Sequence, residues 1–164
     1  MRASTRASLS CVSLGLSLLI TGSCSKDSVD RAELPGADAD GNGVRDDLDG
    51  YIAGRDPAYT EYLTAVAANE QRAVTLDTEA PGAKAEAFEI LDQVNLLISC
   101  VPDGLDRDTA RDEADAIVAK VSNTDARRAN HASVSEMNSG RAMPAPDCSA
   151  VAGPRRTNTP TQRP

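Results

Sequence analysis

Residues 38–49 read DADGNGVRDDLD, and they constrain the fold more than any other stretch. Asp38, Asp40, Asn42, Asp46 and Asp49 place a side-chain oxygen at positions 1, 3, 5, 9 and 12 of a twelve-residue segment. Position 6 is Gly43, where the backbone must turn sharply and only glycine does so at little cost. Alternate acids around one glycine favour neither a strand nor a helix; they favour a tight loop with its oxygens turned inward. Such a donor set suits a hard divalent cation. Ca²⁺ takes six to eight oxygens, which one short loop of this spacing can supply.

The pattern D-x-D-G-N-G-V-x-D-x-x-D resembles the calcium element of bacterial thrombospondin type 3-like repeats, and more loosely dockerin and EF-hand loops. The type 3 pattern has an aliphatic residue at position 7 and Asp at position 9, matched by Val44 and Asp46. EF-hands instead place an aliphatic residue at position 8 and Glu at 12, where this chain has Arg45 and Asp49. The expected ligands are the side chains of Asp38, Asp40, Asn42 and Asp49 and the carbonyl of Val44, with Asp46 binding directly or through a water. The loop occurs once, whereas type 3 arrays and dockerins repeat it. The resemblance therefore implies Ca²⁺ as the ion and does not extend to an adhesive array or to cohesin binding.

At the N-terminus, Arg2 and Arg6 precede an apolar run from Leu9 to Ile20. That run is too short to cross a membrane, which takes roughly 20 residues, and it fits a secretory h-region. Gly22 and Ser23 before Cys24 resemble the lipobox of bacterial lipoproteins, with Thr21 standing where the pattern usually has an aliphatic residue. The resemblance implies that residues 1–23 are a signal peptide and that Cys24 is lipidated and becomes the mature N-terminus. The protein would then be anchored to the membrane through its N-terminal lipid, in the bacterial cell envelope. Ser25 follows the Cys in place of the Asp that retains many lipoproteins at the inner membrane, so the outer membrane is the expected address, facing the periplasm or the cell surface.

Of four cysteines, Cys11 leaves with the signal and Cys24 carries lipid. Cys100 and Cys148 remain as one pair in an oxidising compartment, where a disulfide is expected. A catalytic Cys100 would need a base, and His131 is the sole histidine.

Loss of Arg2 and Arg6 with the signal leaves 15 basic against 25 acidic residues, a net charge of −10. Nucleic acid demands the opposite balance, because its phosphates are met by Lys and Arg patches. Tyr51, Tyr59, Tyr62 and Phe88 are the only aromatics, which removes the usual stacking platforms for bases and sugars. The core must come from Ala, Leu, Ile and Val, a composition suited to small, close-packed helices.

The periodicity predicts an all-α domain of about four to five helices preceded by the calcium loop. Residues 24–37 read as a flexible tether, 38–148 as the domain, and 149–164 (Pro-, Thr- and Arg-rich) as a disordered tail. Leu48, Tyr51 and Ile52 share a face of the first helix, which ends near Gly54. Asp56-Pro57 reads as an N-cap with proline at the first helical position, opening a helix with Tyr59, Leu63, Val66 and Val74 at core spacing. Residues 83–100 carry Phe88, Leu91, Val94, Leu97 and Ile98, the most apolar segment after the signal. Ala110, Ala114, Ile117, Val118 and Val121 make a stripe over 108–122, and a weaker stripe of Ala129, Val134 and Met137 marks a helix over about 125–139. The tyrosines should pack the loop's exit helix against the next.

The sequence has no nucleophile motif, second histidine or Gly-rich phosphate loop. The reading is a lipid-anchored, calcium-binding envelope protein with a structural or partner-binding role. An envelope enzyme and an inhibitor or immunity-type lipoprotein are the alternatives. A pocket of convergent polar groups away from 38–49 would favour the enzyme; an exposed apolar patch would favour a protein partner.

Overall fold

The computed structural model describes residues 31–150. The signal peptide, Cys24 and residues 151–164 of the expected tail lie outside the described residues. Five α-helices make the body: α1 (Asp46–Ala53), α2 (Thr60–Thr75), α3 (Ala83–Ser99), α4 (Arg107–Val121) and α5 (Asp125–Met137). Among the described residues there is no strand, and no helix is long and apolar enough to cross a membrane. The all-α expectation is borne out.

Local chemistry sets the helix starts. The Asp56 carboxylate accepts from Ala58 N at 2.9 Å, and Pro57 opens a single 3-10 turn that runs into α2. Asp106 accepts from Thr109 N at 2.9 Å to cap α4, and Thr124 accepts from Arg127 N at 3.2 Å to cap α5. Each such cap satisfies one of the four N–H groups that a helix start leaves orphaned, and contributes on the order of 1 kcal/mol.

The central element is α2, buried almost all round and packed by every other helix. One face meets α1 and α4 through Leu63, Val66, Ala67 and Val74, which close on Leu48, Ile52, Ala114 and Ile117. The other face meets α3 and α5 in a smaller cluster of Ala73, Leu76, Ala87, Ile90 and Val134. Polar side chains close the seams. Asn130 of α5 is buried and donates to the carbonyls of Val74 (2.9 Å) and Leu76 (3.0 Å), answering carbonyls that the end of α2 leaves free. Asn69 donates to Ile90 O at 3.2 Å.

Three sequence expectations need correction. The packed body begins before residue 38: Leu34 is 2 % exposed, and the buried Arg127 donates to the carbonyls of Glu33 (3.1 Å) and Leu34 (3.0 Å). Residues 31–37 are therefore docked rather than part of a free tether. Next, α3 is the most apolar helix but not the most buried. Ala83, Ala87 and Ile90 face inward, whereas Phe88, Leu91, Val94 and Leu97 are half-buried and Ile98 is exposed. Lastly, α5 leaves Ala129 exposed and buries Arg127 and Asn130 beside Val134, so its inner face is largely polar.

Cys100 and Cys148 stand at disulfide distance, with Cα atoms 5.2 Å apart. The segment between α5 and Cys148 runs back along α3. Arg141 donates to Phe88 O (3.1 Å) and the Asp92 carboxylate (2.8 Å), and Asn95 donates to Pro144 O (3.1 Å).

Candidate metal centre

The loop over residues 38–49 is built by its own acids. Asp38 Oδ1 accepts from Gly41 N (2.8 Å) and Asn42 N (3.2 Å), and its Oδ2 accepts from Gly43 N (3.0 Å). Asp40 Oδ1 accepts from Asn42 N at 3.1 Å, and Asn42 Oδ1 from Val44 N at 2.7 Å. These short-range bonds give the amides of an irregular loop their acceptors, and they draw the backbone into a curl. Gly43 sits at φ +83°, the left-handed conformation its place in the spacing demanded. The curl is closed from both ends: Asp46 Oδ1 accepts from Ala39 N, and Asp46 N donates to Ala37 O, both at 2.9 Å.

The inward chemistry centres on Asn42. Its Nδ2 donates to Asp40 Oδ2 at 3.2 Å and to both oxygens of Asp49 at 3.2 and 3.3 Å. The two carboxylates, nine residues apart, are thus held together by the amide between them. Among the described residues, no group of three or more His, Cys, Asp or Glu converges in metal-binding geometry. The donor set is still of the right kind: every expected ligand atom is a hard oxygen. A cation could stand where the Asn42 amide protons now meet Asp40 and Asp49. Asn42 would then turn its carbonyl oxygen, which has two lone pairs, toward the ion. Of the expected residues, Asp40, Asn42 and Asp49 meet side chain to side chain, Asp38 binds the loop's backbone amides, and Asp46 is engaged in closing the curl. Val44 stays close through its backbone.

Two residues anchor this curl to the core. Val44 is 0 % exposed and packs with Leu48 in the main cluster. Arg45, at the position where the sequence departs from EF-hands, is 3 % exposed. Its guanidinium donates to the carbonyls of Val121 (3.2 Å) and Lys120 (3.3 Å) at the end of α4, and to both carboxylate oxygens of Asp47 (2.7 and 2.8 Å). The hydrogen bond from Arg45 is the main reason the Asp47 carboxyl titrates below the usual range. Loop position 8 is thus directed into the body of the protein and carries a paired cation.

Arg127 lies beside Arg45 under Gly36. A Cβ on Gly36 would stand 2.5 Å from Arg45 Cδ and 3.0 Å from Arg127 Nη2, so this position admits glycine alone. Burial, then the neighbouring Arg45 charge, lowers the pKa of Arg127. Carbonyls of Glu33 and Leu34 and the Asn123 amide oxygen (2.7 Å) supply its acceptors. Sequence reasoning missed both arginines. A signal for Arg45 existed: it falls between the core-directed Val44 and the first turn of α1.

The tyrosines pack as expected around α1 and α2, and two of them hold hydroxyl contacts. Tyr51 donates to Glu113 of α4 at 2.9 Å, and Tyr59 accepts from Asp106 N at 3.1 Å. His131 Nε2 lies 3.2 Å from Glu70 Oε2, and Cys100 is engaged with Cys148, so the two do not form a catalytic pair. Comparison with protein-family models, curated proteins and solved structures finds no match to this chain.

Proposed function

We propose that this protein is a lipid-anchored, calcium-binding component of the bacterial cell envelope with a structural or partner-binding role. The observation that carries the reading is the placement of the loop. Its acids line one curl, and two residues within that loop, Val44 and Arg45, are buried against α2 and α4. An ion held in the curl would therefore add to the stability of the body through Val44 and Arg45. Residues 31–37 lie against the same corner, so an ion here would stiffen the point at which a tether from Cys24 enters the domain. The half-buried and exposed apolar residues on α3 support a protein partner over a small-molecule reaction.

Bound Ca²⁺ would neutralise the carboxylates that the curl crowds together. The chain's own part is to hold Asp38, Asp40 and Asp49 in place through backbone N–H donors and the Asn42 amide. An unpaired loop closed by Asp49 rather than Glu should bind in the weak extracellular range, Kd about 10⁻⁴ to 10⁻³ M. At ten times Kd, mass action then adds about 1.4 kcal/mol of stability.

Calorimetric titration and melting curves in Ca²⁺, Mg²⁺ and chelator test the ion. A rise in Tm with Ca²⁺ and a smaller one with Mg²⁺ are expected. No binding heat and an unchanged Tm at millimolar Ca²⁺ reduce residues 38–49 to an acidic turn. The anchor is tested separately by intact mass of the native protein, which should begin at an acylated Cys24. An unmodified N-terminus removes the lipid from the proposal.

A further inference from the structure

Helices α3 and α4 both pack on α2 without packing closely on each other, and a groove runs between them. Its floor is α2, through Val66, Asn69 and Glu70 and, further along, the exposed Ala65; Leu97 and Ile98 of α3 form one wall, and Val118 of α4 the other. Beside it, near the α3–α4 turn, lies a cavity of about 270 Å³ next to Leu105, and Leu97 lines both. Ile98 is 45 % exposed, one of two large apolar side chains so open among the described residues.

The rim is charged in one sense. Glu61, Asp103 and Asp115 line the groove, all exposed, and no Lys or Arg lines it. None of the three takes part in an ion pair among the described residues. The fourth acid, Glu70, is buried and already engaged by His131. Arg111 and Asp115 of α4 both act electrostatically on the buried Tyr62 hydroxyl. The apolar side chains of Ala65, Val66, Leu97, Ile98 and Val118, with unpaired carboxylates on α2, the α3–α4 turn and α4, are complementary to a segment with an apolar stripe edged by Lys or Arg.

We propose that this groove seats an amphipathic, basic helix of a partner protein, laid along α2 between α3 and α4. A helix fits better than an extended strand, because the described residues offer no sheet edge and helices pack at roughly 8–10 Å between axes. The apolar stripe covers Leu97, Ile98 and Val118, and the basic flanks meet Glu61, Asp103 and Asp115. The proposal gives the chemistry of the partner in the partner-binding role above, and rests on that part of the reading alone, not on the ion or the lipid.

The test is fluorescence anisotropy of a labelled amphipathic Leu/Lys helix of about 18 residues, long enough to span about 27 Å. A Leu/Glu helix of the same pattern is the control, and both are titrated with the full chain in Ca²⁺ and in chelator. The Leu/Lys helix should bind and the Leu/Glu helix should not. Ile98→Lys with Asp115→Lys should weaken binding by about tenfold or more, and Asp103→Lys alone by less. Ile98, Asp103 and Asp115 are exposed, so melting curves of these variants should match the parent. Glu89→Lys with Glu136→Lys, a larger change in net charge but outside the groove, should leave binding unchanged.

Absence of binding, or equal loss in the outside pair, overturns the proposal. Tighter binding after deletion of residues 151–164 also overturns it, by assigning the groove to the chain's own segment bearing Arg155, Arg156 and Arg163. Self-association that Asp115→Lys abolishes overturns it in favour of a second copy. Peptide binding that survives in chelator without any Ca²⁺ effect on Tm sinks the ion reading only. A Ca²⁺-dependent Tm with no peptide binding sinks the groove only.

Discussion

The Arg45 guanidinium donates to the carbonyl of Val121 at 3.2 Å, joining the acidic loop at the start of the domain to the last turn of α4, 76 residues later. A helix C-terminus carries partial negative charge and free carbonyls, so a buried cation there is answered by the backbone as well as by Asp47. Through this contact the loop is part of the core's polar framework.

Arg45→Met should therefore destabilise the protein strongly, by roughly 2–4 kcal/mol, because the end of α4 loses its donors and Asp47 its partner. Arg45→Lys should recover only part of this, since an ammonium cannot reproduce the forked geometry toward Asp47. Urea denaturation in chelator measures the effect without the ion, and a cost near zero would remove Arg45 from the framework.

Asp38→Ala with Asp40→Ala should abolish any Ca²⁺-dependent shift in Tm. Asp38 supplies acceptors to Gly41, Asn42 and Gly43, so the loop should also loosen in chelator. The helical content, read by circular dichroism, should change little, because α2 and its contacts do not depend on these acids. Asn42→Ala should weaken Ca²⁺ less than the double variant, since it removes one neutral oxygen rather than two charges.

The pair of His131 and Glu70 predicts a pH dependence. Glu70 is buried, and its hydrogen bond raises the His131 pKa above the ordinary 6.5, against an opposing effect of burial. A folded-state pKa above the unfolded one means that the folded state binds the proton more tightly. The stabilisation is then fully present below about pH 6.5 and is lost as pH rises through the raised value. His131→Gln should flatten this part of the stability profile, and a parent profile that rises with pH across the same window would contradict the pairing. Chemical-shift titration of the single histidine gives the direction independently.

Cys100 and Cys148 should be joined in the native protein, and peptide mapping without reduction should recover the linked pair. Closing 48 residues of chain corresponds to about 4 kcal/mol on the chain-entropy model. Cys100→Ala with Cys148→Ala should lower stability by up to that amount and loosen the segment that lies along α3. Free thiols at both positions before reduction would rule the bridge out.

Helix class, helix number and the helix starts could be read from the sequence because their causes are local. Asp56-Pro57 sets a cap within three residues, and the stripe of Ala110, Ala114, Ile117 and Val121 needs only the 3.6-residue period. The curl of residues 38–49 was equally legible, since side chains and amides a few residues apart build it. Other features are settled only when distant elements meet. Nothing near Arg45 in the chain announces that α4 will end beside it, and nothing near Arg127 announces Glu33 and Leu34, over ninety residues away. Hydrophobicity alone ranks α3 first for burial, yet α2 takes the centre because each of the other helices packs against it. That leaves Leu97 and Ile98 lining a groove instead of a core. Periodicity identifies which residues share a face; tertiary packing decides what, if anything, covers that face.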